Sequence, residues 1–219
     1  MNQKTNRTLS VPVYLLALVI TVVIFSLGVY VGTALDDSNL QRIEANVGEI
    51  TTRISSAESL LLSDDPELFC PVYLDQLDKI NTDIELIGNK LTVLEEEKNV
   101  IDTELKKQFF ILEVNSYLLS KRINKECGKD TMFVLYFYSN KGCEKCRDQG
   151  IQLTEARKNL RGISTYSFDG ELGSPVVDAL KKKYGVSVYP TIVINEGVYA
   201  GYKGREELKE LLVQVDLNS

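Results

Sequence analysis

Two cysteines three positions apart, Cys143 and Cys146, stand between an apolar run and a helical pattern, and that setting constrains the carboxy-terminal half of the chain. The run before them, Met132 to Tyr138, carries no charge and reads as a buried strand. Helical spacing follows over 144–160. Further on, Tyr189-Pro190-Thr191 leads into Ile192-Val193-Ile194-Asn195, a second buried strand. Two thiols at the start of a helix, with a proline heading a distant strand, suit dithiol–disulfide exchange. The positive end of a helix favours the thiolate on which that chemistry depends.

The rest of this region fills in around those landmarks. Strands are expected at 131–138, 163–168, 191–195 and 198–202, with helices at 144–160, 174–184 and 205–215. Gly162, Gly185 and Gly197 punctuate the joins. The order βαβαββα over 130–219 predicts an α/β fold with a mixed four-stranded sheet and helices on both faces.

Composition removes several function classes. The net charge of the 219 residues is −6, so there is no basic footprint for nucleic acid. Histidine is absent, which excludes histidine triads, histidine metal ligands and histidine pH switches. The four cysteines are Cys70, Cys127, Cys143 and Cys146, and only the last two are close in sequence. A structural zinc site needs four good ligands, so no metal is expected, and no other cofactor is called for.

The amino end reads as a membrane segment. Val11 to Val31 contains no charged side chain and is long enough to cross a bilayer as a helix. Lys4 and Arg7 precede it, and Asp36 and Asp37 follow. The positive-inside rule then leaves residues 1–10 as a cytoplasmic tail, 11–34 as a transmembrane helix, and the remainder extracytoplasmic. A cleaved signal peptide is the rival, with Gly32-Thr33-Ala34 as a small-residue cleavage site, although the apolar run is long for a signal core. Either way the body of the chain meets an oxidising compartment, where disulfides persist.

Residues 36–127 carry two heptad-like stripes. Leu40, Ile43, Val47, Ile50, Ile54, Ala57 and Leu61 form the first. Tyr73, Leu77, Ile80, Ile84, Ile87, Leu91 and Leu94 form the second. Ser63-Asp64-Asp65-Pro66 separates them, and proline there ends or restarts a helix. The seam resumes less cleanly through Leu105, Phe109, Leu112, Leu119 and Ile123. These stripes are read as packing surfaces. Cys70 and Cys127 flank the second part, and their midpoint falls at Lys98-Asn99, where the seam falters. An antiparallel hairpin with its tip there would join the two thiols at its base. Glu95-Glu96-Glu97 holds no glycine or proline to force a turn, so one continuous helix in a parallel homodimer stays open. Cys127 is a poor partner for Cys143. About nine extended residues at ~3.3 Å each separate the two along the strand.

The residues around Cys143 and Cys146 resemble the thioredoxin superfamily over about 130–215. The resemblance rests on Cys143-x-x-Cys146 after a buried strand and on Tyr189-Pro190-Thr191 opening the third strand. It implies a thioredoxin-like fold. It makes Cys143 the exposed nucleophile and Cys146 the resolving thiol. It also implies a cis Pro190, with the Tyr189 backbone free to pair with an extended substrate. Lys141, Lys145 and Arg147 would favour the Cys143 thiolate, and Glu144 would oppose it. Gly142 and Glu144-Lys145 stand where thioredoxins proper carry Trp and Gly-Pro, and Phe137 stands near the position of their buried Asp. These departures point to a specialised extracytoplasmic relative.

Taken together, the expectation is a membrane-tethered thiol–disulfide oxidoreductase with a helical hairpin or coiled-coil stalk and Cys70–Cys127 as a structural disulfide. Its partners would be protein thiols or disulfides and a membrane redox protein, either a quinone-linked oxidase of the vitamin K epoxide reductase type or a transmembrane reductase. The alternative is a redox-inactive scaffold that assembles through the stalk. Lys181-Lys182-Lys183 reads as a solvated helix end, and Tyr136, Tyr138 and Tyr166 as ordinary strand residues. Asn6-Arg7-Thr8 matches a glycosylation sequon on the cytoplasmic side.

Overall fold

The computed structural model describes residues 11–62, 70–96, 102–160 and 162–216. The expectations for residues 1–10, for the breaker Ser63–Pro66 and for the hairpin tip at Lys98-Asn99 lie outside them. The chain divides into two compact units, one ending at Ala45 and the other running from Asn46 to Ser219. Helix α1 (Val11–Leu61) belongs to both. Within the first unit, Val11–Gly32 is a 22-residue stretch long and apolar enough to span a membrane, and none of its residues is buried in the protein. Thr21 turns its hydroxyl back onto the Ala17 carbonyl at 2.9 Å, which hides its polarity inside the helix.

The second unit starts with the last turns of α1, followed by α2 (Cys70–Glu96) and α3 (Thr103–Cys127). The apolar stripes are buried on all three helices, from Val47 to Leu61, from Tyr73 to Leu94 and from Leu105 to Ile123. Helices α2 and α3 run antiparallel rather than as one rod. Ser116 bonds Asn81, Lys106 bonds Glu95, and a disulfide joins Cys70 to Cys127. Asp102 caps α3 by accepting from the Leu105 N–H at 2.9 Å. Arg53 of α1 pairs with Asp83 of α2 at 2.7 Å, so the first stripe adds a third helix to the hairpin.

A mixed sheet completes the unit. Its strands are β1 (Met132–Tyr138), β2 (Ile163–Asp169), β3 (Thr191–Ile194) and β4 (Gly197–Ala200), in the order β2-β1-β3-β4. β1 pairs parallel with β2 and antiparallel with β3, and β3 pairs antiparallel with β4. Helices α4 (Glu144–Asn159), α5 (Pro175–Tyr184) and α6 (Arg205–Asp216) join them. Successive β1 side chains alternate between two cores, as pleating requires. Met132, Val134 and Tyr136 pack with Leu153 of α4 and with Leu208 and Leu212 of α6. On the other face Phe110 and Tyr117 of α3 meet the rings of Phe168, Phe133 and Tyr166 edge-on.

Helix α3 is therefore shared. One side of it closes the three-helix bundle and another covers the sheet. It also covers the free edge of β2, where the Glu113 carboxyl group accepts the Ser167 N–H at 3.2 Å. Arg157 of α4 reaches Glu85 of α2 from the far side of that edge.

The Cys70–Cys127 bond spans 57 positions. Closing a loop of that length removes enough unfolded-state entropy to contribute roughly 4 kcal/mol. Replacing both cysteines with serine is expected to lower the denaturation free energy by about that amount, read from the denaturant midpoint. A loss below about 1 kcal/mol would show that the bundle holds without the clasp.

Candidate active site

Cys143 occupies the cap position of α4 and Cys146 its first turn, and the two sulfurs are bonded to each other. The approach from β1 is made by Ser139-Asn140-Lys141-Gly142. Gly142 adopts φ +66, which a side chain would resist. Cys143 is partly open to solvent, whereas Cys146 is 5% exposed. The Ser139 N–H points at the Cys146 sulfur across 3.5 Å. Tyr136 donates its hydroxyl to the Cys146 carbonyl oxygen, and burial pushes that phenol's pKa up, so it stays a donor.

The Tyr189–Pro190 peptide is cis. It enters β3 where Thr191 pairs with Phe137, which places Pro190 at the same end of the sheet as the cysteines. The Pro190 carbonyl accepts the Gly201 N–H at 2.8 Å. Pro190 is buried and Tyr189 partly exposed. The Tyr189 ring lies against Gly170, where a Cβ would collide with its hydroxyl and ring carbons, so that glycine is needed for space rather than conformation. Lys181 donates to the Gly170 carbonyl and sits 5.8 Å from the Tyr189 ring centre. Lys181 is thus a structural cation under this loop, while Lys182 remains exposed.

The charges around Cys143 differ in availability. Lys145 is engaged with Asp148 at 3.1 Å and lies over the Tyr202 ring at 5.3 Å. Its hydrogen bond to Asp148, first, holds the ammonium pKa above its usual value. Lys145 therefore lends Cys143 less field than its place in the sequence implies. Lys141 is exposed, and Glu144 sits in the first turn of α4. Gln149 accepts the Lys203 N–H at 2.6 Å, which ties α4 to the loop carrying Tyr202.

Behind the cysteines lies a polar cluster that the sequence pattern gave no sign of. Lys106, with a side chain only 6% exposed, holds both carboxylate oxygens of Glu95 at 2.8 Å and lies 3.8 Å from Asp169. Asp169 accepts the Glu171 N–H at 3.0 Å, and the Glu171 carboxylate bonds the Ser139 hydroxyl. No short-range motif marks these residues, because they come from α2, α3, β2 and the loops after β1 and β2. Among the described residues no group of three or more histidine, cysteine, aspartate or glutamate side chains could hold a metal ion.

No protein-family model and no curated protein matches the chain. Among solved structures, a malarial protein is similar over 38% of this chain and 96% of its own, with 24% identity and a TM-score of 0.32. The germline-specific thioredoxin Deadhead of Drosophila melanogaster is similar over 48% of this chain and 93% of its own, with 25% identity and a TM-score of 0.33.

Proposed function

We infer that the chain is a membrane-tethered thiol–disulfide oxidoreductase of thioredoxin-like architecture. It would exchange disulfides with protein clients through Cys143 and Cys146. One observation carries this reading. A bonded cysteine pair caps a helix, with Cys143 partly open to solvent and Cys146 buried against a backbone N–H. The more open Cys143 suits attack by or on a client, and the buried Cys146 suits the return step inside the mixed disulfide. The cis Tyr189–Pro190 step at the same sheet end supports a place for an extended client strand. The exposed apolar helix Val11–Gly32 supports a membrane tether, and Lys4 and Arg7 ahead of it favour a cytoplasmic amino end with the redox unit outside. A quinone-linked oxidase or a transmembrane reductase would then restore the pair.

Replacing Cys146 with alanine in the full chain removes the resolving thiol and should leave clients covalently held on Cys143. Nonreducing gels are expected to show mixed disulfides that dithiothreitol releases and that a further Cys143→Ala change abolishes. If no adduct forms with any client, the pair is a fixed bridge and the chain serves as a redox-inactive scaffold.

A further inference from the structure

We propose that the backbone N–H of Ser139 is the donor that carries the charge of the Cys146 sulfur during exchange, and that Glu171 is the positioning residue that aims it. This rests on the exchange reading above. A client thiolate attacks the Cys143 sulfur, the Cys143–Cys146 bond breaks, and its electron pair stays on Cys146. The client's second thiolate then attacks its own sulfur in the mixed disulfide and displaces Cys143. The client has lost two electrons and two protons, and the cysteine pair has gained them. Run backwards, the same steps reduce a client disulfide. In both directions Cys146 must bear a negative charge beside the mixed disulfide.

That charge develops where water scarcely reaches, since Cys146 is 5% exposed and burial disfavours a thiolate. The Ser139 N–H, 3.5 Å from the sulfur, is the compensating donor. Its aim depends on how Ser139 is held. The Ser139 hydroxyl oxygen accepts the Lys141 N–H at 2.9 Å. Its single proton can go to the Lys141 carbonyl at 3.0 Å or to the Glu171 carboxylate, and the charged acceptor is the stronger one. Glu171 is in turn set by its own N–H on buried Asp169, which Lys106 faces. The carboxylate itself works against a nearby thiolate by charge. Position and charge therefore predict opposite results, and substitution separates them.

The test is the pH dependence of Cys146 alkylation by iodoacetamide in the full-length Cys143→Ser protein, with the Cys70–Cys127 bond intact. Adding Glu171→Ala is expected to raise the Cys146 pKa by about one unit, about tenfold in alkylation rate near neutral pH. Glu171→Gln keeps an acceptor for the hydroxyl and is expected to stay at or below the parent value. Ser139→Ala, which keeps the N–H but frees it, should follow Glu171→Ala. The proposal is overturned if alanine and glutamine at 171 act alike, or if alanine lowers only the melting temperature. The readout is a thiol titration and not turnover. A chain that exchanges no disulfides therefore sinks the preceding reading, while the alanine–glutamine split still decides this one.

Discussion

Replacing Cys143 with alanine is expected to lower disulfide exchange by about ten-thousand-fold or more, the scale on which enzymes lose their nucleophile. The reason is geometric. Cys146 cannot substitute for it, because that residue is only 5% exposed and its sulfur lies against the Ser139 N–H, whereas Cys143 is partly open to solvent. The other two cysteines are bonded to each other and clasp the helical hairpin. The measurement is dithiothreitol-driven insulin reduction by the full chain, set beside Cys70→Ser/Cys127→Ser. The clasp variant should keep its rate per folded molecule, since that bond joins the ends of α2 and α3 away from β1's carboxyl end. A Cys143→Ala protein that kept a tenth of the rate would remove the cysteine pair from the chemistry.

Local patterns announced much of this architecture, and long-range polar contacts announced none of it. The element order after residue 130 follows from apolar runs and glycine breaks, and β1 begins at Met132 and α4 at Glu144, within a residue of the spacing. The seams of α2 and α3 follow from heptad spacing for the same reason. Periodicity reports which face of a helix is buried but not what covers it. Phe110, Glu113, Tyr117 and Ser120 fall outside the heptad seam of α3 because they belong to its second face, against β1 and β2. The weaker seam of α3 was itself the trace of that double burial. Tyr166 shows the other limit. Its place in a strand suggests an ordinary strand residue, yet its buried hydroxyl pairs with Ser120. Tyr117 and Tyr184 likewise join hydroxyls across 67 positions. A buried hydroxyl needs a partner, but its sequence does not say which one. The Glu95–Lys106–Asp169 cluster is of the same kind.

Glu113 carries the largest expected effect on stability. It is 5% exposed, and burial, opposed only in part by the Ser167 N–H, pushes its carboxyl up to about 8 from an ordinary 4.5. Its second oxygen, Oε2, is buried without a hydrogen-bond partner. At neutral pH the folded protein therefore holds a proton here that the unfolded chain has lost. Stability from this site is fully present below pH 4.5, falls as pH rises towards 8, and levels off above it. At ~1.4 kcal/mol per pH unit the fall has an upper bound of about 5 kcal/mol. The neighbours that feel this charge, Tyr138 and Tyr166, are themselves pushed upward, Tyr166 to about 12, so they keep their protons across the window. Glu113→Gln still accepts from Ser167 but has no proton to lose. Denaturant unfolding should therefore place the variant at or below the native chain at pH 5, since both keep an unpartnered group at Oε2. By pH 9 the variant should be the more stable by several kcal/mol. Parallel curves for the two proteins between pH 5 and pH 9 would mean that Glu113 is ionised in the folded state, and that the β2 edge is held by a charged carboxylate after all.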